Sequence, residues 1–516
     1  MKDFPRNNMI TMNDWLRFHP YDRPSEVDYY YQKLCNRLLK ENRNDPLVDD
    51  MNGLEYKELT CMLVCLFEDV VSEINIWRSF TGEHKRLYGK FLPFYDTTDD
   101  YYDDEINLQD IMFLIWHFFS TVEVDILISP YYPVFNAFAL KTLALFEAEY
   151  ETAPANVLFK EKLKIPEEKE FFDTRNVMDF LAFQSYLNYH YTHRTLNEHF
   201  EQLEEEEHDA EYIHLLRYDT MVGVVINDAC PLLALRVNEQ LANIIGTEHP
   251  KYDLIRNISK RYAVTCNFKS INGKYWELEH LATGQHLNLA SDTISEDTLK
   301  NQQFNPGDNL YLHFVKWGDE WALMGTMIAF PAKDDFDGEE SEKHIFDPLE
   351  PKLEALKQQE ACFKELTGGF NIAYFANTDE YDAFLNRFRV HVFEKSNPGK
   401  VVPDDMQAAK TDFGDQKVEN FVIFFNPESG LEMMHSLSRV IKDARNPTYN
   451  PDEAADIQSL IIQESVSPQF VKFLVDNEMI AFDPNKEMDD ATIKDNLDFL
   501  LRYYKVDTYY QEPAII

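Results

Sequence analysis

Five of the 15 histidines fall within 25 residues, at His190, His193, His199, His208 and His214. Glu205 with His208, and Glu211 with His214, repeat a Glu-x-x-His spacing that sets a carboxylate and an imidazole on one helix face. Helical bundles hold paired metal ions this way, but they take one such pair from each of two helices and lone glutamates from two more. Here both pairs lie on one segment beside the acidic run Glu204–Glu207. A solvated acidic face therefore accounts for the pattern better than a metal centre. No metal ligand is assigned, and a metal-dependent enzyme built on His190–His214 stands as the alternative reading.

Trp276, Trp317 and Trp321 are the second chemical group. Trp317 and Trp321 flank the turn Gly318-Asp319, which brings both toward one rim of a small β-module. Aromatic rings at such a rim stack on bases or seat peptide side chains. Packing inside the module is the ordinary use of a tryptophan, so a role as anchors for a protein partner requires at least one to meet solvent. Arg256, Lys260, Arg261, Lys269 and Lys274 lie on or just before this module without an interleaved aromatic stripe, a poor nucleic-acid footprint. Ser429-Gly430 reads as a helix start beside Glu428 and Glu432 rather than an anion site.

The usual signatures of catalysis are missing. The 16 glycines form neither Gly-x-Gly-x-x-Gly nor Gly-x-x-x-x-Gly-Lys. Gly-x-Ser-x-Gly, His-Glu-x-x-His and Cys-x-x-Cys do not occur either. No catalytic residue and no cofactor is assigned, and the reading leans away from an enzyme. The acidic loop between Tyr95 and Glu105 lacks the Asp-x-Asp-x-Asp-Gly order of a calcium loop.

Composition narrows the partners. The 516 residues carry 49 basic and 91 acidic side chains, a net charge of −42. Phosphate contacts need clustered cations, so nucleic acid is disfavoured, as are anionic membranes. The same charge allows a third reading, a mimic of nucleic acid. Six scattered cysteines, Cys35, Cys61, Cys65, Cys230, Cys266 and Cys362, suit buried thiols rather than a disulfide framework. The N-terminus lacks the apolar run of a signal peptide, and the most apolar stretch, Ile111–Phe119, is shorter than the ~18 residues of a spanning helix. A cytoplasmic protein is expected.

Periodicity supplies the elements that position these groups. Residues 1–250 read as a helical domain, with starts such as Ser25/Asp28 and apolar stripes along Tyr56–Arg78 and Asp110–Val122. Residues 251–332 read as a small five-stranded antiparallel β-barrel-like module, in the size range of OB-like and SH3-like barrels, with turns at Asn272-Gly273, Thr283-Gly284, Pro306-Gly307 and Gly318-Asp319. From Leu254 to Ala332 there are seven bases and eight acids, so the module is nearly neutral. Residues 333–345 read as an acidic linker, and 346–516 as an α/β part with helix starts expected at Ser429, Asn450 and Ser467. The whole is an α+β, predominantly helical, multidomain chain. Its best reading is a non-enzymatic interaction or regulatory protein that presents the β-module to a protein partner.

Asp14-Trp15-Leu16-Arg17-Phe18-His19-Pro20-Tyr21, followed by Asp28-Tyr29-Tyr30 and Leu34-Cys35-Asn36, resembles the opening of an uncharacterised family, a domain of unknown function common in gut Bacteroidetes. Leu497-Asp498-Phe499-Leu500-Leu501-Arg502-Tyr503-Tyr504 is similar to that family's ending. The resemblance spans the chain from near its start to near its end. It implies a bacterial cytoplasmic protein and brings no activity or site residues with it.

Overall fold

Short acceptor side chains fix where the first helices begin. In the computed structural model of the chain, Thr11, Ser25 and Asn52 each cap a helix with a reciprocal bond from the acid three residues on. They open α1 (Met12–Leu16), α2 (Glu26–Glu41) and α3 (Gly53–Ser72). The structure describes residues 9–515 apart from 50, 124–125, 168–170, 206–209, 297–298, 300–303, 331–339, 408–409, 412–418, 436, 454–455 and 483–487.

α3 is buried on almost every side from Leu59 to Asp69. It ends at Glu73, whose backbone is left-handed, and Asp69 reaches past the break to accept the Ile76 and Trp77 N–H groups at 3.2 and 2.6 Å. That bond starts α4 (Ile76–Tyr88). α5 (Leu108–Val122) is the expected apolar helix, with Ile111, Phe113, Leu114, Ile115, Trp116 and Phe118 wholly buried. No helix among the described residues is long and apolar enough to cross a membrane. Then come α6 (Pro133–Tyr150), α7 (Phe171–Phe183), α8 (Tyr189–Glu205), α9 (Ala210–Asn227) and α10 (Val237–Ile245).

From Tyr262 the pattern turns to strands: β1 (Tyr262–Asn272), β2 (Tyr275–His280), β3 (His286–Ala290), β4 (Asn309–Trp317) and β5 (Glu320–Phe330). They close a barrel in the order β1-β2-β3-β5-β4, with β4 returning to β1. Four of the five contacts are antiparallel as expected, and the fifth, between β3 and β5, is parallel through the single pair Leu289 and Trp321. Alternation around a ring of five cannot be completed, so one parallel seam is a topological necessity. The ring is a small closed five-stranded barrel.

One carboxylate fastens the barrel to the helices. Asp219 of α9 takes both guanidinium nitrogens of Arg261 at 2.9 and 3.0 Å, the Thr326 hydroxyl at 3.0 Å and His313 Nδ1 at 3.0 Å. Burial pushes its pKa up, but the bond and charge of His313, then Arg261, outweigh burial and hold the carboxyl well below the usual carboxylate range. A second carboxylate docks from the far end. Glu342, in the short turn of helix Glu340–His344, accepts Thr265 N–H at 3.0 Å and Thr265 Oγ1 at 3.1 Å, and lies 3.0 Å from His280 Nε2. Residues 333–339 of the expected linker lie outside the described residues.

The chain divides into two compact units, 1–345 and 346–516, and the helical segment and the barrel both lie in the first. In the second, α11 (Leu349–Thr367) stops at left-handed Gly368. β6 (Ile372–Asn377), α12 (Thr378–Ser396), β7 (Glu419–Asn426) and β8 (Gly430–His435) follow. The sheet runs β8-β7-β6, antiparallel throughout. Phe421 and Phe425 of β7 join Phe363 of α11 and Phe384 and Phe388 of α12 in one core. On its other side Phe424 meets Phe470 of α13 (Pro468–Asp476) at 5.0 Å. A strand covered on both faces reads as the unbroken apolar run Phe421–Phe425. α14 (Leu497–Tyr504) and the short helix Val506–Tyr509 follow.

Two of the three expected helix starts here are not helices. Gly430 has φ +107° and opens β8, so the Ser429-to-Glu432 bond braces a hairpin. Asn450 forms a side-chain turn to Asp452 N–H rather than a helix cap. Ser467 does cap a helix, accepting Phe470 N–H at 3.1 Å.

Gly325 of β5 lies against the Asp219 clamp with φ +135°, and a Cβ there would stand 2.8 Å from Arg261 Nη1 and 3.0 Å from Asp219 Oδ1. Gly325→Ala is therefore expected to lower unfolding stability by roughly 1–3 kcal/mol. Gly307→Ala, also at positive φ but with nothing within 4 Å, is the control and should lose less. Urea unfolding of both variants checks this, and equal losses would show that the clamp is slack.

Candidate functional site

The tryptophans occupy different places. Trp276 and Trp317 are buried, Trp276 against Phe268 and Phe304 and Trp317 against Phe171 of α7. Trp317 thus helps join barrel to helices. In the β4–β5 hairpin Trp317 pairs with Glu320 and Lys316 with Trp321, so the two tryptophans lie on opposite faces. Trp321 is half-buried, packed on Tyr262 and Phe314, with the Lys316 ammonium 4.7 Å above its ring. Beside it Glu320 Oε1 accepts Tyr275 Oη at 2.6 Å and Lys274 Nζ at 3.2 Å, which ties the β1–β2 and β4–β5 turns together.

Among the described residues, the histidine-rich segment does not converge. His193 Nε2 lies 3.0 Å from the Phe183 carbonyl, His214 is exposed, and His208 lies outside the described residues. His190 is turned inward, its ring 4.9 Å from Phe118 and its Nε2 3.8 Å from Glu58 Oε2. That Nε2 is buried without a hydrogen-bond partner. Burial pushes Glu58 up to about 7, ahead of the opposing charge of Arg17, and burial brings His190 down to about 4. Both groups are therefore held toward their neutral forms.

The one convergent set of metal-ligating side chains among the described residues is elsewhere: His19, Asp28 and Glu68, all at 0 % exposure. The resemblance motif supplies most of it. α1 carries Trp15, the bend after it carries His19 and Tyr21, and α2 carries Asp28. Glu68 comes from α3 and Asn156 from the turn before Val157. Asp28 accepts Trp15 Nε1–H at 3.2 Å and Tyr21 Oη–H at 3.0 Å on one oxygen, and Ser25 N–H and Oγ–H at 2.6 and 2.7 Å on the other. Glu68 accepts Asn156 Nδ2–H at 2.8 Å on Oε1 and faces His19 Nε2 at 2.8 Å through Oε2. Asn156 Nδ2 also donates to Tyr21 Oη at 2.7 Å, and its Oδ1 accepts Phe159 N–H at 3.0 Å.

Hydrogen-bond logic fixes what the centre needs. His19 Nδ1 lies 3.1 Å from the Trp15 carbonyl, which can only accept, so Nδ1 carries a proton. Nε2 then faces the Glu68 carboxylate at 2.8 Å and Asp28 Oδ1 at 3.9 Å. A lone pair facing two ionised carboxylates would be repulsive, so a proton or a metal ion belongs between Nε2 and these oxygens.

Sequence reasoning did not single this set out for chemistry. Glu68 did leave a signal, as an acid inside the apolar run of a helix with no polar face, where acids stay only when paired. Asn156 left none. The expected free thiols are present: all six cysteines are buried and unbridged. Burial, then the neighbouring Cys61 sulfur, pushes the Cys35 thiol well up, and burial, then Glu68, does the same for Cys65. They stay protonated and unreactive.

Fold and site together define a helical protein closed around a solvent-excluded charge centre and carrying a closed five-stranded barrel. The chain belongs to the family described as protein of unknown function (DUF3843), whose model matches residues 9–273 and 332–506. No curated protein and no solved structure matches it.

Glu58 gives a pH test. Its folded value of about 7 lies above the ~4.3 of an unfolded glutamate, so the folded state binds the extra proton between them. That contribution is complete below about pH 4.3 and is lost as pH rises through 7. Against wild type, Glu58→Gln should gain relative stability between pH 5 and 8, read as a rising difference in urea midpoint. Parallel profiles would show that Glu58 titrates normally.

Proposed function

We propose that the chain is a non-enzymatic interaction protein of a reducing, cytoplasmic compartment that holds its barrel out to a protein partner. The observation that carries this reading is Trp321, partly exposed beside Lys316 on a barrel that Asp219 fastens to the helices. A tryptophan with a cation over its ring is already ordered, so a partner that covers it loses little side-chain freedom. Such anchors dominate interface energetics.

The family match supports the same reading. It stops at residue 273 and resumes at 332, and β2 to β5 lie in the interval it leaves out. A module carried on a shared helical body is a natural place for a partner particular to this chain. The chemistry of the barrel surface favours protein over nucleic acid. Glu277 and Glu279 sit partly exposed on β2, within the strand 2–3 face that nucleic-acid-binding OB barrels use. Seven bases against eight acids leave no excess of cations to hold phosphates. The near-neutral barrel also escapes the repulsion that −42 charges impose elsewhere. Six buried, unbridged cysteines suit a reducing compartment.

Capture from the native host with wild type and Trp321→Ala, followed by affinity measurement on the recovered partner, tests this. The variant should keep its melting temperature within a few degrees and lose at least about tenfold in affinity, since a well-buried anchor is worth ~2 kcal/mol or more. Unchanged affinity in a folded variant would move the interface off the barrel, and tight, salt-sensitive binding of single-stranded DNA would overturn the partner class.

A further inference from the structure

We propose that His19, Asp28 and Glu68 hold a divalent cation of the zinc class in the core of the helical part. Three ligand atoms of suitable type, one imidazole nitrogen and two carboxylate oxygens, all lie within 4.8 Å of one another at zero exposure. Their separations, 2.8 Å from Nε2 to Glu68 and 3.9 Å to Asp28, bracket the ~3.3–3.5 Å between ligands joined to one tetrahedral ion by bonds of ~2.0–2.2 Å. Small shifts of two side chains would make the set coordinate.

The surrounding bonds are those a metal site requires. A ligating histidine ordinarily donates its other N–H to a carbonyl or carboxylate, which fixes tautomer and ring plane. His19 does so to the Trp15 carbonyl. Ligating carboxylates are themselves held, here by Trp15 and Tyr21 on the Asp28 ligand oxygen and by Asn156 on the far oxygen of Glu68.

A dication would meet two carboxylates in a site closed to solvent, the kind of pairing that buried charge requires. The donor set of one nitrogen and several oxygens suits Zn²⁺ and also Mn²⁺ and Fe²⁺, which the experiment separates.

The test uses untagged full-length protein purified without added metal or chelator. Elemental analysis should return about one equivalent of one transition metal per chain. Chelation should lower the melting temperature, and Zn²⁺, Mn²⁺ or Mg²⁺ added singly should identify the ion that restores it. Glu68→Gln should lose the metal while His214→Ala, which removes an exposed imidazole, keeps it. If Glu68→Gln does not fold, x-ray absorption of the wild type decides, since the shell should hold nitrogen and oxygen at ~2.0–2.2 Å. A sulfur shell near ~2.3 Å would place the ion on Cys35, Cys61 and Cys65 and overturn the assignment. Metal-free protein whose melting ignores both chelator and Zn²⁺ would also overturn it and leave a closed ion pair.

Discussion

A carboxylate cannot be left alone in a dry core, and Glu68 places one on a helix that is buried on nearly every side. Much of the first unit's interior answers that constraint. His19 supplies the facing nitrogen, Asn156 the amide, Tyr21 and Asp28 the next layer of bonds, and Trp15 the carbonyl that holds the imidazole in place. α1, α2, α3 and the turn before Val157 therefore meet at a point set by electrostatics, and apolar packing fills in around it. The His19 ring lies tilted 5.0 Å from Phe159 and 4.6 Å from Trp15, so the aromatic residues close the site to water. Such buried charge fixes a unique arrangement more than it adds net stability, because desolvation offsets most of the attraction.

The same device recurs at each join. Asp69 starts α4 and accepts Tyr186 Oη–H at 2.8 Å, Asp110 takes Asn107 and Tyr101, Asp219 fastens the barrel and Glu342 docks onto it. Burial pushes both Asp69 and Asp110 up to about 6. A chain with 91 acids places a few inside as multi-bonded hubs and leaves many others facing water. Its acidity is thus partly an internal building principle, distinct from any message to a partner.

Most of the architecture could be read from residue order because its signals are local. Capping pairs, the 3.6-residue stripes and the Asn-Gly and Gly-Asp turns act within a few residues, and they marked the helical half and the barrel strands. The parallel seam needed only the count of strands, since five cannot alternate around a ring. The errors at Ser429 and Asn450 share one cause: a serine or asparagine followed by an acid braces hairpins and turns as well as helices, and tertiary context chooses. The charge centre was illegible for a different reason. Its motif half was visible as a pattern without chemistry, while Glu68 and Asn156 join it across 49 and 135 residues of sequence from His19 and Tyr21. The opposed faces of Trp317 and Trp321 follow from the register of their hairpin, which depends on its turn.

Gln184 donates to the His19 carbonyl across 165 residues of chain, the longest reach among the bonds around the centre. A ribosome adding ~5–20 residues per second needs roughly 8–33 s to make that stretch. During that interval the N-terminal segment, with Trp15, Phe18 and, once made, Glu68, has emerged without the later Asn156 and Gln184 that enclose it. The first unit therefore cannot mature as it is made from its leading end. It must wait, loosely collapsed, for its own later sequence, and a holding chaperone that covers Trp15 and Phe18 during translation would meet this chain at its most vulnerable moment.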